Sequence, residues 1–172
     1  ITVSLEETAE IEIPVEVKTI GTAPSGIYVY DLTPNIDTIK VSGVKSTINT
    51  LNKAVITVDI SNANENFIYT STPNIYDRNG TIVSTNKLTL NTDSISVTSI
   101  IYNEKEVPLN ISLVDDNNLG QVVDYNCSVK TIKIAAEDDV LAKIESIDID
   151  YLFTVPEDNT STSIIKTIDI NE

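Results

Sequence analysis

Thr38-Ile39-Lys40-Val41-Ser42-Gly43-Val44-Lys45-Ser46-Thr47-Ile48-Asn49-Thr50-Leu51 is the stretch on which the reading of this chain turns, because it occurs twice. Its second copy lies 93 residues on, as Thr131-Ile132-Lys133-Ile134-Ala135-Ala136-Glu137-Asp138-Asp139-Val140-Leu141-Ala142-Lys143-Ile144. Each copy starts with the period-2 alternation of a half-buried strand and continues into a period near 3.6. Gly43 is expected to break the first strand. Val44, Ile48 and Leu51 then share one face of a short helix expected at 44–52. Val140, Leu141 and Ile144 form the matching face of a helix expected at 137–145.

The duplication extends outward from this core. Ile13-Pro14-Val15-Glu16-Val17 recurs 94 residues later as Val107-Pro108-Leu109-Asn110-Ile111, and Gly120 matches Gly26 at the same offset. At an offset of 93, Cys127 falls on Pro34 and Ile168 on Ile75. Ile147, Ile149, Tyr151 and Phe153 fall on Ala54, Ile56, Val58 and Ile60. Ile1-Thr2-Val3 falls on Ile95-Ser96-Val97. Solenoid repeats have periods of about 20–50 residues; a period near 93 describes tandem domains, each able to hold its own core. The division expected is a closing strand of a preceding repeat at 1–10, a complete repeat at 11–102, and a second, C-terminally truncated repeat at 103–172. The chain therefore reads as a piece of a longer one.

Strand patterning fills the remainder. Ile1, Val3 and Leu5 alternate with polar residues, and Glu6 to Glu10 reads as a connector. The Ile11–Val17 strand contains Pro14, which cannot donate to a ladder and so belongs at an edge or a strand start. Ile27–Leu32, Ile36–Val41 and Ala54–Ile60 are expected strands. Phe67–Tyr76 is an extended run with an irregularity at Pro73. Asp77-Arg78-Asn79-Gly80 is a hairpin turn, since Asn-Gly supplies positive φ readily. Leu88–Leu90 and Ile95–Val97 close the unit.

Composition narrows the function classes. Apolar residues make up 41% of the 172 residues, enough for a packed core. There is no Trp, Met or His, and there are only two Phe, so any core is built from β-branched residues. With 26 acids against 11 bases the net charge is −15. That argues against nucleic acid, and against direct contact of this segment with an anionic membrane, as partners. Cys127 is the only cysteine, so no internal disulfide forms; its setting suggests a small buried residue and not a reactive thiol. No apolar run approaches the length of a membrane span.

The pattern Ile13-Pro14-Val15-Glu16-Val17, the Pro-led segment Pro34 to Val41, Ser42-Gly43-Val44-Lys45-Ser46, Val58-Asp59-Ile60-Ser61 and Tyr76-Asp77-Arg78-Asn79-Gly80 resembles the YbbR-like domain family. The second repeat departs from it at Cys127, Ala135-Ala136 and Leu152. The resemblance implies an all-β fold of two tandem YbbR-like β-domains, each with one short helix. It implies an array anchored by an N-terminal membrane helix outside this chain, on the extracytoplasmic face of a bacterial membrane. It also implies a membrane-bound diadenylate cyclase as protein partner, whose cyclic-di-AMP synthesis such proteins regulate without being enzymes themselves.

Read residue by residue, the chain offers little chemistry. Without His, a Ser–His–Asp or Cys–His device cannot be built within it. Asp115-Asp116-Asn117-Asn118 has hard-cation oxygens but lacks the spacing and bidentate Glu of a calcium loop, and reads as a polar turn. Glu137-Asp138-Asp139 reads as a helix opening, where acids meet the positive end of the dipole. Asp148 and Asp150 are about 6.6 Å apart on one strand face, a separation that permits a glycosidase-like pair but comes with no aromatic cleft. Tyr28, Tyr30, Tyr69 and Tyr76 could line a binding surface or act as cross-strand packing partners. Asn79, Asn110, Asn126 and Asn159 head Asn-x-Ser/Thr triplets that carry no meaning without a secretory context. No catalytic residue, metal ligand or cofactor site is therefore expected. Two functions remain: a non-catalytic, extracytoplasmic interaction module of a cyclase regulator, or a structural stalk of tandem β-domains on a bacterial surface protein. If the second repeat lacks its closing strand, residues 1–10 could complete it head to tail between neighbouring molecules; otherwise they fray in solvent.

Overall fold

The computed structural model describes residues 6–115 and 126–153. Among the described residues the architecture is all-β, with two single-turn α-helices and a 3-10 turn at Thr85–Lys87. The strands are β1 (Thr8–Ile20), β2 (Ile27–Pro34), β3 (Thr38–Val44), β4 (Leu51–Asp59), β5 (Ile68–Ser71), β6 (Asn74–Asp77), β7 (Ile82–Val83), β8 (Leu88–Leu90), β9 (Ile95–Asp115), β10 (Thr131–Ala136) and β11 (Ile147–Phe153). The helices are α1 (Lys45–Ile48) and α2 (Asp138–Leu141). Contacts divide the chain into two units: 1–105 with 135–141, and 106–134 with 142–172.

The first unit holds a six-stranded sheet in the order β7-β6-β4-β1-β3-β8, and a smaller set in which β9 pairs with β2 and β5. β1 has two different partners. Thr8 to Pro14 run antiparallel to β3, ending at Pro14↔Thr38. Val15 to Ile20 run parallel to β4, starting at Val15↔Ala54. Pro14 thus marks neither an edge strand nor a strand start; it sits at the hand-over between two ladders. There its missing N–H leaves nothing unpaired. The next donor, Val15 N–H, goes to the carbonyl of Asp37 at 2.8 Å.

The alternation sends β-branched side chains inward. Ile13, Ile39, Val41, Ile56, Val58 and Ile75 are fully buried and form one cluster with Ile95 and Val97 of β9. The polar residue buried among them, Ser99, is satisfied twice over. Its hydroxyl donates to Phe67 O at 3.1 Å and accepts from Phe67 N–H at 2.8 Å. The hairpin forms where Asn-Gly predicts it. Gly80 has φ +80°, and the Asp77 carboxylate accepts from the N–H groups of Asn79 and Thr81 at 2.9 and 2.8 Å.

Three expectations require correction. Gly43 does not break its strand: it pairs with Ala9 on one side and Leu88 on the other. A Cβ there would meet the Lys87 carbonyl at 2.9 Å, so its role is close approach of backbone. The connector 6–10 is shorter than expected, because Thr8, Ala9 and Glu10 already pair with β3. Both helices are one turn long instead of nine residues. After α1, Thr50 N–H and its hydroxyl both return to Thr47 O, at 3.0 and 2.7 Å, which closes the turn tightly. Leu51 is buried as expected, but as the first residue of β4. α2 ends where Lys105 Nζ donates to the Leu141 carbonyl at 2.8 Å. Leu141 is buried, whereas Val140, expected on the apolar face, is 40% exposed.

In the second unit β9, from Glu106 on, lies between β10 and β11. β11 is parallel to β9 from Ile147↔Leu109 onward. This is the β1–β4 pairing, Val15↔Ala54, shifted by the offsets seen in the sequence. Two hydrogen bonds recur with it. Val15 N–H to Asp37 O has its counterpart in Leu109 N–H to Lys130 O, at 2.9 Å. Thr38 hydroxyl to Glu12 has its counterpart in Thr131 hydroxyl to Glu106. Residues 1–5 and 154–172, on which head-to-tail strand exchange depends and which include Asn159 and Ile168, lie outside the described residues, as do Asp116, Asn117, Asn118 and Gly120.

Truncating Ile39 or Ile56 to Ala leaves a cavity in a fully buried site. Each is expected to lower stability by about 2–5 kcal/mol in urea unfolding. Gly43→Ala is expected to lower the melting temperature as well, because the obstructing atom is backbone; an unchanged midpoint would mean that Lys87 gives way freely.

Candidate functional site

Among the described residues the acidic side chains form no organised centre: no group of three or more His, Cys, Asp or Glu side chains could hold a metal ion. Asp138 and Asp139 open α2, as the sequence suggested, and Asp138 accepts from Asn103 Nδ2 at 2.7 Å. Asp148 and Asp150 stand on the exposed side of β11, opposite Asn110 and Ser112. Asp148 accepts from Asn110 Nδ2 at 2.7 Å and from the Ser146 hydroxyl at 3.1 Å. A strand surface holds the pair, with no wall facing it among its described neighbours in that sheet. Cys127 is half-exposed, not buried, and its thiol donates to Val129 O at 2.8 Å.

Two carboxylates are perturbed. Glu16 is held below its ordinary range, first by the hydrogen bond from Lys53 Nζ and then by the charges of Lys53 and Lys18, partly opposed by desolvation. Asp59 is lowered by the Ser61 hydroxyl and by the Ser61 N–H at 2.9 Å. The half-buried Glu16–Lys53 pair ties the middle of β1 to β4, and Asp59 fastens the end of β4. A shallow depression of about 500 Å³ is lined by Thr8, Ala9, Glu10, Ser42, Gly43 and Thr89. Glu10 is its one titratable group.

The tyrosines are distributed differently. Ile95, Val97 and Ser99 point into the core, so Thr98, Ile100 and Tyr102 lie on the opposite, outward face of β9. Cross-strand partners share that face. Tyr28 is opposite Tyr102, Asp31 opposite Ile100, and Thr33 and Ile68 both opposite Thr98. The register shifts between Val29 and Asp31, leaving Tyr30 as an extra, bulged residue. Its ring lies 4.9 Å, centroid to centroid, from that of Tyr102. Tyr30 is 60% exposed, Ile68 70% and Tyr28 48%. Of the four tyrosines singled out in the sequence, Tyr28 and Tyr30 meet here. Tyr69 pairs with Val97 on the other face. Tyr76 lies in the six-stranded sheet, with Lys18 Nζ 5.9 Å from its ring centre. Nothing in the sequence pattern singles out Tyr102, Ile100 and Ile68, since only the β2–β9 register brings Tyr102 and Ile100 beside Tyr28, and only the β5–β9 register puts Ile68 on the same face across β9.

The YbbR-like protein family matches residues 13–98, half of the chain, from the buried Ile13 of β1 to Thr98 near the start of β9. This chain belongs to the YbbR-like family. Among solved structures, the YbbR-like chain is similar to a YbbR-like protein from Streptococcus pneumoniae TIGR4, at 10% identity and a TM-score of 0.45. That likeness covers 56% of this chain and 48% of the other, so the chain spans about half of that structure's length. It is also similar to the solution structure of SuR18C from Streptococcus thermophilus, at 17% identity and a TM-score of 0.41, covering 58% of this chain and 89% of that one. No curated protein matches the chain. No helix among the described residues is long and apolar enough to cross a membrane.

The Glu16–Lys53 pair is expected to give this YbbR-like domain an acid response. A folded-state pKa below the unfolded one contributes stability above the unfolded value, and this is lost as pH falls through the folded value. Lys53→Met is expected to return Glu16 to the ordinary carboxylate range and to remove its share of the acid dependence. Carboxyl-carbon NMR across an acid titration reads both; an unmoved Glu16 would show that Lys53 is not its main partner.

Proposed function

We propose that this chain is a non-catalytic interaction module, part of a membrane-anchored regulator of a diadenylate cyclase and placed on the extracytoplasmic face of a bacterial membrane. The observation that carries the reading is the YbbR-like match over residues 13–98, which takes in most of the six-stranded sheet and the whole outward face of β2 and β5. The geometry favours surfaces over reactive groups. Asp59, Asp138 and Asp148 are each engaged by neighbouring donors, while the outward tyrosine face carries exposed apolar area. A patch of that kind on a soluble domain is a mark of protein contact.

A structural role, a stalk of tandem β-domains, is favoured by a different observation. The β1–β4 register and two of its flanking hydrogen bonds recur around β9 and β11. Repeated units of this kind are what a spacer needs, and the two roles separate by experiment.

The natural full-length protein, tagged and purified from membranes under mild detergent, is expected to bring a diadenylate cyclase with it. Deleting the repeats is expected to change cyclic-di-AMP output. If no cyclase is recovered and output is unchanged, the regulatory reading fails and the stalk remains. The purified chain is expected to turn over neither nucleotides nor glycosides; turnover abolished by Asp148→Asn or Asp150→Asn would make it an enzyme.

A further inference from the structure

We propose that the outward face of β2, β9 and β5 is the docking surface of this domain, and that it takes a protein segment in which lysine or arginine alternates with apolar residues. The inference rests on the reading of the chain as an interaction module and names the surface and the chemistry of its partner.

The apolar half of the argument is the cluster itself. Tyr28, Tyr30 and Tyr102 adjoin on one side of Ile100, with Ile68 across β9. Tyrosine gives broad contact area at small entropic cost and is enriched where binding energy concentrates. The bulge at Tyr30 has a further effect. An unbulged β2 would keep strict alternation, whereas the extra residue sets Tyr30 and Asp31 side by side, both exposed.

The electrostatic half comes from what these strands carry. Residues 27–34, 68–71 and 95–104 contain no Lys or Arg, and their acids are Asp31 and Glu104. Asp31 is opposite Ile100, within the apolar cluster, and Glu104 follows Tyr102 on the same side of the strand. Asp31 is held in place by donors of its own strand: Leu32 N–H at 2.8 Å and the Thr33 hydroxyl. Aromatic faces attract cations, and a fixed carboxylate beside them adds to that attraction. A second copy of this chain is a poor occupant. Face to face, it would set Asp31 and the −15 charge of one molecule against those of the other, with no Lys or Arg among residues 27–34, 68–71 and 95–104 to answer. Nucleic acid and anionic lipid are repelled for the same reason.

The edge of β2 says how the segment binds. A strand adding to an edge needs free N–H groups along it. The Leu32 N–H is already taken by the Asp31 carboxylate, and the ladder is interrupted at Tyr30. Both devices blunt an edge against strand addition. The segment therefore lies across the rings, with its apolar side chains on Tyr28, Tyr30 and Ile68 and its cations toward Asp31.

The test uses the full chain and three soluble twelve-residue peptides. One alternates arginine with leucine, one arginine with serine, and one glutamate with leucine. The chain has seven Tyr and no Trp, so tyrosine fluorescence and amide NMR report on it directly. The arginine–leucine peptide is expected to bind saturably and to shift residues 28–33, 68–70 and 98–104. The other two are expected to bind at least tenfold more weakly. Tyr30→Ser combined with Ile68→Ser, both at exposed positions, is expected to weaken binding at least tenfold with the melting temperature unchanged. If that double variant unfolds, Tyr28→Ser alone makes the same comparison. Equal binding of the arginine–serine peptide, shifts centred elsewhere, undiminished binding by the variants, or shifts of these tyrosines by cellohexaose in place of the peptide would each overturn the proposal. In the membrane co-purification, a cyclase retained by the double variant overturns this surface and leaves the interaction reading intact. No cyclase with the natural protein overturns that reading, and the peptide result still decides whether the face binds basic, apolar segments.

Discussion

The fold depends on one strand changing partners at a residue that cannot donate a hydrogen bond. Up to Pro14, β1 is held by β3; from Val15 it is held by β4, in the opposite sense. A central strand normally needs a donor at every position, and proline is excluded from it. Here the exclusion is relaxed at one residue only, where one ladder has ended and the next has not begun. The hand-over lets a 13-residue strand serve two groups of strands, so that β3 with β8 and β4 with β6 and β7 close on the same cluster of Ile and Val. Pro108 occupies the corresponding place before Leu109, where the parallel pairing with β11 begins. The constraint is thus met twice by the same device.

That device explains which features could be read in the sequence. Alternation over Ile11–Val17, Ala54–Ile60 and Ile95–Val97 gives both the strands and their inward faces, because burial on one side imposes a period of two. The hairpin at Asn79-Gly80 is equally legible, since its signal is local. The helices were overestimated for a physical reason. Ile48 and Leu51 are both buried, but the 3.6 pattern that joins them spans a helical turn and the start of a strand. At Ile48 and Leu51 the pattern reports burial and not conformation. Thr47 and Thr50, whose backbone and hydroxyl groups close the turn, are the residues that could have signalled it.

The outward face was half legible. Tyr28 and Tyr30 stand out in Ile27–Leu32 as aromatic residues in alternation. Tyr102, Ile100 and Ile68 do not, because their relation to Tyr28 is created by antiparallel pairings between strands far apart in the chain. The bulge at Tyr30 has no Gly or Pro to announce it. A period-two reading places Tyr30 on the same face as Tyr28 and Asp31 on the other; the extra residue moves Asp31 across, beside Ile100. Apolar contact and negative charge thereby come to share one surface through a single irregularity.

Composition and surface are connected by the thickness of the core. Facing sheets lie about 10 Å apart, and in this domain Ile and Val fill that space with little help from larger residues. With no Trp, no Met and two Phe in the chain, tyrosine is the one abundant aromatic residue, and its hydroxyl needs a polar partner when buried. A core closed by branched aliphatic side chains offers few such partners; Ser99 is the polar residue it admits, and that hydroxyl is committed to Phe67. Tyr28, Tyr30, Tyr102 and Tyr76 are therefore placed away from that core, on the outward side of β2 and β9 or beside Lys18 on the six-stranded sheet. An aromatic face on this domain follows from the same rule that makes its core aliphatic.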